Sequence, residues 1–209
     1  MRLFFSPNAM SRVAHIALED AGADFELVLT DTRAGQQRSP DYLAVNPKGR
    51  VPALETDRGV LTETPAILAY IAQSHPEAQL APLDDPFAFA RMQALIAFLS
   101  SSVSIAFAHH FRPERYTDQP SAHPAMATRA AQALHEHFSL LESQMRGPWA
   151  CGPGYTVADP YLFVMESWLD EEWPGALARY PKLSEHARLM RNRPFVQKVI
   201  AVESGWPRN

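Results

Sequence analysis

The hydrophobic pattern of this 209-residue chain changes once, across a proline-rich segment from His75 to Pro86. Before the segment, short apolar runs alternate with amphipathic stretches and turn residues, which is typical of alternating strands and helices. After it, apolar residues recur every three or four positions, which is typical of helices alone. The segment contains three prolines and two aspartates, a linker composition. The pattern predicts an α/β domain over 1–75, a linker over 76–86 and an all-α domain over 87–209.

Within the first domain, the turn residues divide the chain into five short elements. The predicted elements are a strand at 3–5, a helix over 11–21 ended by Gly22, a strand at 25–29, an extended segment from 51 that turns back at 57–59, and a helix with Thr64 as its cap and Pro65 as its first residue. This order is βαβ, then a β-hairpin, then a helix.

Helical spacing dominates the second domain. Long helices are predicted over 87–108 and 124–145, and two shorter helices are predicted to begin near Pro181 and Pro194. Between them, Thr156-Val157-Ala158-Asp159 forms a capping box with Asp in place of the usual Glu, directly before an apolar run. We interpret this box as a stability element.

The composition limits the kinds of partner that the chain is expected to bind. The chain is 46% hydrophobic and 20% charged with a net charge of −4, which gives no sign of a nucleic-acid partner. The amino terminus turns polar at Ser6, too early for a signal-peptide core, and we expect no apolar run long enough to span a bilayer. The single Cys151 fits a reducing compartment. These features predict a cytoplasmic protein without a membrane partner.

Five short motifs occur in a fixed order along the chain. They are Ser6-Pro7 followed by Met10-Ser11, Asn46-Pro47-Lys48-Gly49, Val51-Pro52-Ala53-Leu54, Glu63-Thr64, and the capping box. With this order and spacing the chain resembles the glutathione transferases, and among them the bacterial beta class. The resemblance implies a thioredoxin-like βαβ–ββα domain that binds glutathione as cosubstrate, followed by a C-terminal helical bundle.

The resemblance also implies which residues bind glutathione. They are Lys48, Arg50, Val51, Pro52, Glu63 and Thr64. A cis Val51-Pro52 bond would let the Val51 backbone pair with the cysteinyl unit. Glu63 would accept from the γ-glutamyl ammonium, and Thr64 at a helix start would receive a carboxylate. Lys48 and Arg50 would balance the glycyl carboxylate. The alternative is that Glu63-Thr64-Pro65 only caps a helix.

A transferase of this type must hold the glutathione sulfur as a thiolate, and Ser11 at the start of the first helix is the predicted catalytic donor. Met10 occupies the position of the beta-class cysteine, so thiol–disulfide exchange there is not expected. Polar family positions on the first long helix are also replaced, by Ala97, Ser104 and Ile105. The simplest interpretation of Met10 itself is a core-filling residue.

An acceptor-substrate pocket is the second site that the resemblance implies. Its predicted residues are Met10, Phe107, His110, Tyr161 and Trp168. Ligand pockets are mostly apolar with a few polar groups, which suits this set. The alternative is that the aromatic residues form the core between helices.

No metal site is predicted. Neighbouring histidines such as His109 and His110 diverge by about 100° around a helix and cannot easily share one ion. Cys151 lies in a turn with no obvious activating charge, and we interpret it as structural.

The function that this pattern favours is a glutathione transferase in detoxification, in which Ser11 polarises the thiol for attack on a hydrophobic electrophile. The alternative is a non-catalytic glutathione-binding or interaction protein that retains the fold. The resemblance implies a homodimer in either case.

Overall fold

The computed structural model describes residues 1–206, so the last three residues of the predicted domain 87–209 lie outside the described residues. The chain forms two compact units, residues 1–89 together with the chain from residue 188 onward, and residues 90–187. A four-stranded sheet with helices is followed by helices alone, which confirms the predicted α/β plus all-α class. The domain bounds drawn along the chain stay a prediction.

Strands and helices follow the predicted order, except that a short helix over Pro40–Val45, which was not predicted, lies between the second and third strands. The strands are β1 (Arg2–Phe5), β2 (Glu26–Leu29), β3 (Ala53–Thr56) and β4 (Gly59–Thr62). The helices are α1 (Ser11–Asp20), α2 (Pro40–Val45), α3 (Thr64–Ser74), α4 (Pro86–Phe98), α5 (Ser104–Phe111), α6 (His123–Gln144), α7 (Ala158–Glu172), α8 (Pro181–Arg191) and α9 (Pro194–Gly205).

The sheet of the first unit has the order β2-β1-β3-β4, with β1 parallel to β2 and all other pairs antiparallel. Successive residues of β1 point to opposite faces. Leu3 and Phe5 are fully buried, and Phe5 meets the ring of His15 on α1 at 6.0 Å. Phe4 faces the other side and packs edge-on against Tyr42 of α2, at 5.8 Å. Both faces of the central strand are therefore covered.

The start of α3 differs by one residue from the prediction. Thr64 is the first residue of the helix and Pro65 the second, while Glu63 takes the capping position without a side-chain cap bond. Glu63 has a φ of 69°, in the left-handed region that few non-glycine residues adopt. This backbone turn reverses the chain between β4 and α3, and a sequence pattern alone does not reveal it.

A π-helical segment, Leu99–Val103, interrupts the predicted helix over 87–108 and separates α4 from α5. The hydroxyls of Ser100 and Ser101 both donate to the carbonyl of Ala97, at 3.0 and 2.8 Å. Hydroxyl groups can satisfy backbone acceptors where the regular α-helical pattern is broken. The serines therefore stabilise the local widening of the helix.

Among the described residues, the helical segment from Pro86 to Phe111, which includes the π-helical stretch, is long and apolar enough to cross a membrane by length and composition alone. Arg91, Gln93 and the serines divide its apolar residues, so it contains no unbroken apolar run of that length. Core helices of proteins without membrane spans have the same length and composition.

Helices build the second unit, residues 90–187, and the apolar stripe of α6 lies in its core. Leu134 and Phe138 of this helix are fully buried. Phe107 of α5 meets Phe138 at 6.4 Å and Trp168 of α7 at 5.6 Å, both edge-on. Aromatic pairs in this geometry add about 0.5–1.5 kcal/mol beyond the burial of their area.

The capping box forms the reciprocal contacts expected of it. The Thr156 backbone N–H donates to Asp159 Oδ2 at 2.6 Å, and the Thr156 hydroxyl accepts from Ala158 N–H at 3.3 Å. The other Asp159 oxygen accepts from the backbone N–H of Ala150 at 2.7 Å. One carboxylate therefore fixes both the start of α7 and the turn that precedes it.

Behind the box, a histidine on α8 contacts two carboxylates. His186 Nε2 lies 3.1 Å from Asp159 Oδ1, and Nδ1 lies 2.9 Å from both oxygens of Glu166. All three side chains are fully buried. Burial by itself lowers the pKa of His186, but the charge of Glu166 and the hydrogen bonds to both carboxylates outweigh it and raise the pKa to about 10. The imidazole is therefore a cation at neutral pH.

We predict that His186→Phe lowers the free energy of unfolding by about 3–5 kcal/mol, because it leaves two buried carboxylates without their cation. Adding Glu166→Leu should recover part of the loss, because one uncompensated charge is removed. Chemical denaturation of both variants and of His137→Phe, a half-buried control, measures this. A loss no larger than in the control would contradict the prediction.

The same cluster predicts a dependence on pH. An unfolded histidine titrates near 6.5, so the stabilisation is complete below about that pH and is lost as the pH rises through about 10. The difference in unfolding free energy between the wild type and His186→Phe should shrink over this range. A difference that stays constant would contradict a buried cation.

Candidate functional site

The turn before β3 is fixed by hydrogen bonds to one carbonyl oxygen. The Tyr42 hydroxyl and the Asn46 side-chain amide both donate to the carbonyl of Arg50, each at 2.6 Å. The Asn46 side-chain oxygen accepts from the Lys48 backbone N–H at 3.1 Å, and Gly49 takes a φ of 60°. Burial raises the pKa of Tyr42 to about 12, so its hydroxyl keeps its proton. These hydrogen bonds fix the turn at Asn46-Pro47-Lys48-Gly49 in one conformation.

Directly after the turn, the Val51-Pro52 peptide bond is cis, as the resemblance implies. Pro52 is buried and Val51 half-buried. Val51 also packs at the margin of the cluster formed by Phe4, Tyr42 and Ala53. The sequence motif therefore lies where the turn joins β3, at the edge of the packed sheet.

The start of α3 lies next to this turn. Thr64 is buried, at 5% exposure, whereas Glu63 before it is exposed. The first amide groups of a helix lack partners within the helix, and the helix dipole favours negative charge there. Glu63 and Thr64 thus place a carboxylate beside a site that favours an anion.

The two predicted basic residues have different surroundings. Lys48 Nζ lies 2.6 Å from Glu63 Oε1 and 2.8 Å from Thr62 Oγ1, so the turn and the start of α3 are joined by an ion pair. Arg50 is exposed. The contact between Lys48 and Glu63 was not expected from the sequence, because the two residues are 15 positions apart.

Ser11 is the first residue of α1, and its side chain is turned inward. It is fully buried, and its hydroxyl donates to the Ser6 carbonyl at 3.1 Å and accepts from the Ser6 backbone N–H at 3.0 Å. The Ser6 hydroxyl lies 3.0 Å from that of Thr32. Ser11 therefore holds the turn between β1 and α1 closed.

Met10 precedes α1 and is half-buried. The interpretation of Met10 as a core-filling residue was therefore wrong. The residue lies at the boundary between the loop and the helix, not on the buried face of α1, so part of its side chain stays accessible.

A buried carboxylate that the sequence did not reveal supports the same loop. Glu203 of α9, with 1% exposure, accepts from the Asn8 backbone N–H at 3.0 Å and from Arg12 Nε at 2.8 Å. His15 Nδ1 lies 3.1 Å from its other oxygen. Burial by itself raises the pKa of Glu203, but the His15 hydrogen bond, the Arg12 charge and the Asn8 N–H outweigh it and lower the pKa. The carboxylate therefore ties α9 to the start of α1.

The aromatic residues of the predicted acceptor pocket are packed to different degrees. Phe107 and Tyr161 are almost fully buried in the helical unit, at 1% and 2% exposure, and Trp168 is half-buried. The Tyr161 hydroxyl lies 3.4 Å from that of Ser104. His110 contacts Glu172 at 2.8 Å and the Ala127 carbonyl at 3.2 Å. The core interpretation fits Phe107 and Tyr161, and the role of all four residues in a pocket stays a prediction.

Within residues 1–206, no group of three or more His, Cys, Asp or Glu side chains could hold a metal ion. The prediction of no metal site remains a prediction. Cys151 is exposed, but desolvation by the surrounding protein raises the pKa of its thiol to about 11. The thiol is therefore protonated at neutral pH, which does not favour reactivity.

Family models match both parts of the chain. The model described as glutathione S-transferase, N-terminal domain, matches residues 1–73, and the model described as glutathione S-transferase, C-terminal domain, matches residues 107–188. The first match covers the turn, the cis proline and the start of α3. The second covers α6, α7 and most of α8.

Similar proteins cover almost the whole chain. The glutathione S-transferase GstA of Escherichia coli O157:H7 is 33% identical over 97% of this chain and 98% of its own. A glutathione transferase homologue from Sulfitobacter, solved with bound glutathione, is 37% identical with a TM-score of 0.91 and covers 96% of this chain and 97% of its own. The beta-class glutathione S-transferase of Sphingomonas chungbukensis is 35% identical with a TM-score of 0.85, covering 97% and 98%.

We predict that Glu203→Gln lowers the free energy of unfolding by about 3–5 kcal/mol, because it leaves the buried Arg12 charge unpaired. Lys198→Met is the matched control, since the ion pair between Lys198 and Glu19 also joins α9 to α1 but is exposed at Lys198. Loss of this ion pair should lower the free energy of unfolding by less than about 1 kcal/mol. Urea denaturation of both variants measures the difference, and equal losses would contradict the prediction.

The lowered pKa of Glu203 gives this effect a pH dependence. Its stabilisation is complete above the ordinary carboxyl pKa, about 4.3, and is lost as the pH falls through the lower folded-state value. The difference in unfolding free energy between the wild type and Glu203→Gln should therefore become smaller only below about pH 4.3. A difference that already narrows near neutral pH would contradict it.

Proposed function

The chain belongs to the glutathione S-transferase family, and we propose that it binds glutathione at the turn before β3 and the start of α3. The observation that carries the proposal is the pairing of an exposed carboxylate, Glu63, with the free helix start at Thr64, beside the cis Val51-Pro52 bond. A ligand that carries an ammonium and a carboxylate group close together would find a carboxylate acceptor at Glu63 and amide donors at the helix start.

Each part of glutathione has a proposed partner. The γ-glutamyl ammonium donates to Glu63, and its carboxylate accepts from the first amide groups of α3 at Thr64. The cysteinyl unit pairs with the Val51 backbone as an added strand next to Pro52. Arg50, exposed at the end of the turn, is the proposed partner of the glycyl carboxylate. Lys48 is already paired with Glu63.

For catalysis we propose that the first turn of α1 stabilises the glutathione thiolate, with Ser11 as the side-chain donor, for attack on a hydrophobic electrophile. A helix amino terminus lowers a thiol pKa. Donation by Ser11 requires its hydroxyl to turn away from the Ser6 carbonyl, to which it donates at 3.1 Å. The proposed acceptor pocket contains Met10, Phe107, His110, Tyr161 and Trp168.

The burial of Ser11 favours a second candidate function, a non-catalytic protein that binds glutathione or another ligand. Its hydroxyl is fully buried and is already bonded to the Ser6 backbone in both directions. Met10 cannot supply a thiol. In either case we propose a cytoplasmic homodimer, and for the enzyme a role in detoxification.

Binding is tested by calorimetric titration of the wild type with glutathione. Glu63→Gln should weaken binding about 10- to 100-fold, the equivalent of the 1.5–3 kcal/mol of a hydrogen bond to a charged group. Glu55→Gln is the control, because Glu55 pairs with Arg2 at 2.7 Å elsewhere on the sheet. Equal affinities in the two variants would remove Glu63 from the site, and no binding by the wild type would overturn the proposed function.

Catalysis is tested by turnover of a generic aromatic electrophile with Ser11→Ala. We expect kcat to fall about 10-fold or more, the effect of one lost donor to a developing charge, with little change in the Kd for glutathione. Ser6→Ala is the matched control, since its hydroxyl bonds to Thr32. Unchanged kcat in a folded Ser11→Ala protein would remove Ser11 from the mechanism and favour another donor, whereas no turnover by the wild type would favour the non-catalytic candidate.

A further inference from the structure

The ammonium group of Lys48 lies between two oxygen acceptors. Its nitrogen is 2.6 Å from Glu63 Oε1 and 2.8 Å from Thr62 Oγ1. The two acceptors are adjacent at the end of β4, and Lys48 reaches them from the turn before β3. A lysine ammonium carries three donors and no acceptor, so this geometry defines a small site for a primary ammonium.

We infer that Lys48 is an internal substitute for the γ-glutamyl ammonium of glutathione, which must displace it from Glu63, and that Thr62 is the second acceptor of this subsite. The inference rests on the proposed function. Both groups are primary ammonium ions with the same donors and the same charge. Glu63 cannot bind both equally, because two like charges about 4 Å apart repel each other even in water.

The exposure of the pair indicates exchange and not a permanent block. The side chains of Lys48 and Glu63 are 49% and 64% exposed. Exposed ion pairs are weak and are screened by salt. Lys48 therefore competes with the ligand for Glu63, but a ligand that also binds the start of α3 and the Val51 edge can replace it.

Competition of this kind discriminates between ligands. A tripeptide with an α-ammonium gains Glu63 and Thr62 only after Lys48 leaves. The same tripeptide without the amino group, glutaryl-cysteinyl-glycine, does not compete with Lys48 and gains neither acceptor. Lys48 thus reduces the affinity advantage of glutathione over glutaryl-cysteinyl-glycine, and Thr62 increases that advantage.

The test compares glutathione with glutaryl-cysteinyl-glycine by calorimetric titration at physiological salt. The measured quantity is the ratio of the two dissociation constants, because long-range effects of the altered protein charge largely cancel in it. Lys48→Met keeps the side-chain stem and should shift the ratio about two- to fivefold in favour of glutathione, the range of an exposed ion pair. Thr62→Val keeps the β-branched shape on β4 and should shift the ratio about two- to tenfold against glutathione.

Lys198→Met, with the same loss of charge elsewhere in the first unit, should leave the ratio unchanged. If Lys48→Met weakens both ligands equally, Lys48 binds a carboxylate common to both and the inference is overturned. An unchanged ratio in Lys48→Met overturns it as well. Binding of neither ligand by the wild type overturns the proposed function itself, so the two failures are distinguishable.

Discussion

The proposed binding edge of the first unit depends on the carbonyl oxygen of Arg50. Tyr42 and Asn46 both donate to it at 2.6 Å, and these bonds fix the turn between α2 and β3. Because β3 pairs with β1 on one side and β4 on the other, the turn also sets where Lys48 meets Glu63. A buried phenol and a buried amide hold this surface in place, so a peptide ligand would meet a preformed edge.

A buried charge cluster lies in each compact unit, and the stabilisation that the two clusters provide responds to pH in opposite directions. The stabilisation by Glu203 in the first unit is lost in acid, because its pKa is lowered. The stabilisation by His186 in the second unit is lost in alkali, because its pKa is raised to about 10. Each cluster fixes a helix start, that of α1 or that of α7. Both contributions are therefore complete together between about pH 4.3 and 6.5.

Local patterns predicted most of the elements but not the contacts between residues far apart in sequence. The hairpin, the end of α1 at Gly22 and the capping box follow from residues close in sequence, whereas α2 was not predicted. Glu203 lies 191 positions from Arg12, and nothing near α9 indicates that partner. The one-residue shift at Thr64 arises from the positive φ of Glu63, a backbone property without a sequence signature. The site residues came from the family resemblance, and their contacts came from the structure.

The central claim is that the start of α3 and the carboxylate of Glu63 bind the γ-glutamyl end of glutathione. A crystal structure of this chain with glutathione tests it most directly. The ligand ammonium should lie within hydrogen-bonding distance of Glu63, its neighbouring carboxylate at the Thr64 backbone, and Lys48 should be displaced. Glutathione bound elsewhere, or bound with its γ-glutamyl end away from Glu63 and Thr64, would contradict it.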